Sequence, residues 1–69
     1  MNVYVFKTSI EPGDIKPADE ILRSLIPKSE WSFDMEDCDK ILRVMSKENI
    51  TDLVCLHLSM AGFYCEELE

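Results

Sequence analysis

"EWSFDMEDCDKILRVM", residues 30–45, holds two alternating runs separated by a few polar residues. In the first run Trp31, Phe33 and Met35 face one way and Ser32, Asp34 and Glu36 the other. A period of two is the pattern of a half-buried strand. In the second run Leu42 and Val44 oppose Ile41, Arg43 and Met45, which predicts another strand. Only Asp37-Cys38-Asp39-Lys40 lies between them, room enough for a hairpin turn and nothing longer. The centre of the chain is therefore an antiparallel strand pair.

Moving outward, each flank supplies one helix and one strand. Upstream, Ile15, Ala18, Ile21, Leu22, Leu25 and Ile26 recur at helical spacing, with Lys16, Asp19, Glu20 and Arg23 on the wet face. Asp14 is placed to cap this helix, Pro17 sits in its first turn, and Pro27 ends it. Before it, "VYVFKTSI" (3–10) is β-branched and aromatic, a strand broken by "EPGD". Its early residues are apolar on both faces, Val3 and Val5 against Tyr4 and Phe6, as suits a central strand. Downstream, Asn49 begins a second helix, with Asp52 three residues on as part of a capping box. Gly62 stops that helix after about Ala61 in the manner of a left-handed C′ residue, and "FYCEELE" makes a last strand.

The element order β-α-β-β-α-β with short connections predicts one α+β domain over residues 1–69. Its expected form is a ferredoxin-like sandwich, with four antiparallel strands in the order 4-1-3-2 and both helices on one face. The helix-covered core is expected to take Phe33, Met35, Leu42 and Val44. A chain of this length buries only about 60% of its unfolded surface, so some apolar side chains must stay outside.

Fourteen acidic against seven basic residues give a net charge of −7. That charge repels phosphate backbones and anionic membrane surfaces, and no basic stripe offsets it, so neither nucleic acid nor membrane is an expected partner. The first ten residues lack the basic region and apolar core of a signal peptide. Three cysteines, Cys38, Cys55 and Cys65, form no disulfide framework. Together these features predict a cytoplasmic protein.

Candidate chemistry is sparse. Asp34, Glu36, Asp37 and Asp39 offer oxygen ligands, yet no Gly shapes a cation loop, so the stretch reads as a solvated turn. Cys38 reads as a surface thiol dulled by the carboxylates around it. Cys55 and Cys65 fall on adjoining elements, where a disulfide is geometrically conceivable but is disfavoured by the expected compartment. His57 is the single histidine and has no nucleophile or acid placed beside it by any motif. Neither an enzyme nor a cofactor is expected.

The chain resembles the heavy-metal-associated, copper-chaperone-like domains in size, in element order and in the strand-turn-strand "WSFDMEDCDKILRV". It also shares with them a second helix that runs through "MAGFYCEELE", ending in a Gly-aromatic pair before the last strand. The resemblance implies the scaffold. The family's metal site is a pair of cysteines two residues apart after the first strand, a soft-ligand clasp for Cu(I). The matching stretch here, "TSIEPGDIKPAD", has no Cys, His or Met, so no metal ligand carries over.

The second helix holds the strongest anomaly. With Gly62 as C′, Leu58 and Phe63 become the pair that meets beneath the turn, which points Leu58 inward with Ile50, Val54, His57 and Ala61 beside it. Leu53, Leu56 and Met60 then gather on the far side, where a surface helix carries charge. These three, with Val3, Val5, Ile41 and Met45 on the open sheet face, form a candidate interface for a second copy or another protein. Two other readings remain open. One is a metal-handling protein with displaced ligands from Cys38, Cys55, Cys65 and the methionines; the other is a small-molecule sensor subunit.

Overall fold

The computed structural model describes residues 2–35 and 40–68. The chain forms β1 (Asn2–Thr8), a 3₁₀ turn (Pro12–Asp14), α1 (Ile15–Leu25), β2 (Glu30–Asp34), β3 (Ile41–Ser46), α2 (Thr51–Met60) and β4 (Cys65–Leu68). The strands make one antiparallel sheet in the order β2-β3-β1-β4, the expected 4-1-3-2 read from the other edge. This is the α+β, ferredoxin-like arrangement.

Register follows from burial. Phe6 lies opposite Leu42, and Tyr4 opposite Val44, so the even-numbered side chains of β1 meet those of β3 on the covered face. Phe6, Leu42 and Val44 are fully buried there with Ile10, Ala18, Leu22, Val54 and Leu58. Tyr4, Trp31 and Phe33 pack against this cluster while keeping partial exposure. Met35 departs from expectation. It lies one residue past the end of β2 and stays half-buried outside the cluster.

Asp14 adjoins α1 but does not cap it, because its carboxylate turns back to accept the Glu11 N–H at 3.2 Å and makes no bond to the helix. Both ends of α2, by contrast, follow from the sequence. Asn49 Oδ1 accepts the Thr51 N–H at 3.0 Å, so the expected capping residue works from one position before Ile50, the residue that adjoins α2. At the other end Gly62 has φ +94°, Phe63 N–H reaches the Leu58 carbonyl at 2.9 Å, and Gly62 N–H reaches Ser59 at 3.0 Å. Those two bonds are the Schellman pair, and they hold Leu58 in the core with Phe63 packed against it.

Thr8 locks the loop end of the sheet. Its buried hydroxyl donates to the Lys40 carbonyl at 2.8 Å and accepts the Ile10 N–H at 3.2 Å, so a polar group in the interior is satisfied on both counts. Lys40 in turn pairs with Glu11 at 2.9 Å.

Candidate interaction surface

On α2 the inward face is Val54 and Leu58, with Ile50 buried just before the first turn. One hundred degrees per residue then sends Leu53, Leu56 and Met60 outward together, at i, i+3 and i+7. Their exposures are 40%, 56% and 75%. Asp52 is the sole acidic residue of the helix, which has no Lys or Arg, so little competes with the apolar strip. His57 is half-buried with Nδ1 2.9 Å from the Leu53 carbonyl, a bond within the helix. Ala61, expected beside Leu58, is exposed at the helix end.

The strip does not stop at Leu53. That side chain forms one wall of an open cleft of about 410 Å³, whose other apolar walls are Leu25, Ile26, Pro27, Met45 and Ile50 and whose polar walls are Lys28, Ser29, Ser46, Lys47 and Glu48. Met45 in turn belongs to the sheet face away from the helices, directly opposite Val3 of β1. The cleft therefore joins the helix strip to the edge of the open sheet face.

On that open face the expected residues divide. Val3 and Met45 are exposed, and Val5 is half-exposed. Ile41 is corrected: it is only 7% exposed and offers no contact surface. It sits on an inner strand with Lys7 opposite it on one side and Asp34 on the other, and such long or flanking side chains cover the residue between them. Leu68, outside the expected set, is exposed opposite Val5 and extends the patch. Parity along β4 could have found it, because an inward Cys65 sends Leu68 outward.

Asp34 holds Arg43 at 3.4 Å across the hairpin. Glu36, Asp37, Cys38 and Asp39, the rest of the acidic turn, lie outside the described residues. Among the described residues no group of three or more His, Cys, Asp or Glu side chains could hold a metal ion. Cys55 and Cys65 do converge, with their sulfurs 3.5 Å apart between α2 and β4. Burial, then the neighbouring Cys55 sulfur, pushes the Cys65 thiol pKa well above its ordinary range. No helix is long and apolar enough to cross a membrane among the described residues.

No family model, curated protein or solved structure matches the chain.

Proposed function

We propose that this chain is a small, non-enzymatic cytoplasmic domain that works by binding protein through the apolar strip of α2. Its scaffold is read as related to the heavy-metal-associated domains, without their cysteine pair. The observation that carries the proposal is the row Leu53, Leu56 and Met60, exposed side by side on a helix whose opposite face already fills the core. Single exposed apolar residues are ordinary, but a row that runs on into a cleft of mixed apolar and polar walls has the character of a contact surface.

The occupant tested first is a second copy of the chain. A row on one helix is self-complementary under a two-fold axis, since each Leu56 then lies near the partner copy of the same row. Each leucine buried in this way contributes roughly 1.5–3 kcal/mol, against the rigid-body entropy lost on association. A few such residues sustain a dimer in the high micromolar range. The net charge of −7 works against it, and so sets a weak rather than a tight association.

Amide and methyl NMR shifts followed through a dilution series test which surface is used. The proposal expects concentration-dependent shifts at Leu53, Leu56 and Met60. Shifts confined to Val3, Val5 and Leu68 would move the contact to the open sheet face.

A further inference from the structure

We propose that Cys55 and Cys65 are a redox pair that closes to an intramolecular disulfide and clamps the last strand onto α2. The two thiols are brought together by elements that are each held independently. Cys55 lies in the second turn of α2, whose C-terminal end is fixed by the Gly62 turn. Cys65 opens β4, where it pairs with Thr8 of the central strand. One helical turn before Cys55 and two strand residues after Cys65, Thr51 donates its hydroxyl to Glu67 at 3.1 Å. The helix and the strand thus run side by side, and the thiols and the Thr51–Glu67 bond are two rungs of one contact. At 3.5 Å the sulfurs must close by about 1.5 Å to reach the length of a disulfide.

The reaction needs an external oxidant, and a small-molecule disulfide such as oxidised glutathione is the class named here. The thiolate of Cys55 attacks one sulfur of that disulfide, forming a mixed disulfide and expelling one small thiolate. Cys65 then gives its proton to solvent and attacks the Cys55 sulfur, expelling the second small thiolate. Two protons and two electrons leave the protein, and one disulfide is exchanged for another. Burial holds the Cys65 thiol protonated, which makes the closing step slow near neutral pH and faster in alkali.

Tryptic mapping reads the outcome directly. No Lys or Arg follows Lys47 in this chain, so both cysteines fall in peptide 48–69, while Cys38 falls in peptide 29–40. The reduced protein is incubated with oxidised glutathione, alkylated and digested. Peptide 48–69 is expected to lose two hydrogens and take up no alkyl group, with Cys38 left to react separately. The melting temperature should rise by about 10 °C or more, from closing a short loop in a domain of this size. Dithiothreitol should reverse both changes, and Cys65→Ser should abolish them. Two alkyl groups or two glutathiones on peptide 48–69 at equilibrium would overturn the proposal, as would a link to Cys38. A disulfide that formed but lowered the melting temperature would overturn the clamp.

Discussion

Trp31 donates its indole N–H to the Asp19 carboxylate at 2.9 Å, and so ties α1 to the edge strand β2. The second carboxylate oxygen takes Arg23 at 2.8 Å, one helical turn along. The tryptophan contact is partly shielded from water, whereas Arg23 is largely exposed and contributes little. Asp19→Ala should therefore cost about 1–2 kcal/mol, chiefly through the indole left without an acceptor. Asp19→Asn keeps an acceptor and should cost less. Urea unfolding followed by the emission of Trp31, the single tryptophan, measures both.

The two glycines should answer differently to alanine. Gly62 has φ +94° and makes the Schellman turn, so a side chain there is strained even though a Cβ meets nothing within 4 Å. Gly62→Ala should lose about 1–2 kcal/mol. Gly13 has no such φ and equally open surroundings, and Gly13→Ala should be neutral or slightly stabilising. Paired denaturant melts check the contrast.

The raised Cys65 thiol pKa couples the reduced fold to alkaline pH. Burial disfavours the thiolate in the folded state, so the folded pKa lies above the ordinary value of 9.0. Below that value both states hold the proton and the contribution to stability is constant. Above it the unfolded chain ionises first, and stability falls until the folded pKa is passed. Tyr64, whose pKa is raised by its hydrogen bond to Glu66, acts in the same direction. The comparison that isolates the thiol is the reduced wild type against Cys65→Ser, whose loss of stability above pH 9 should be shallower. Equal slopes for the two would remove the coupling.

Much of this architecture was legible in the sequence because local and long-range signals agree. The alternation of Trp31, Phe33, Leu42 and Val44, the helical spacing of α1 and the Gly62 turn all specify the same sandwich. Turn geometry even fixed the outward direction of Leu53, Leu56 and Met60, since pinning Leu58 pins the whole helix. Ile41 escaped because period-two alternation assigns a face and cannot say how well that face is covered, and Met35 because the alternation runs on past the end of β2. Asp19 looked like a wet-face residue for a related reason: its bond to Trp31 joins two elements, and periodicity within one helix carries no sign of it. The contact between Cys55 and Cys65 needed the relative placement of α2 and β4 at the scale of a side chain.

Ionic strength separates a second copy from a different partner. Two chains of charge −7 repel, so salt should strengthen self-association through screening. A basic partner docking on the same strip would be held less tightly as salt rises. Titrations of association against sodium chloride give opposite slopes for the two cases.

Sedimentation equilibrium over the micromolar range, on the wild type, Leu56→Glu and Val5→Glu, decides whether the α2 strip joins two copies of the chain. The wild type should form a reversible dimer, with an association constant lowered about tenfold or more by Leu56→Glu and changed less by Val5→Glu. A wild type that stays monomeric at every concentration, or a dimer that Leu56→Glu leaves untouched, would contradict a contact through that strip.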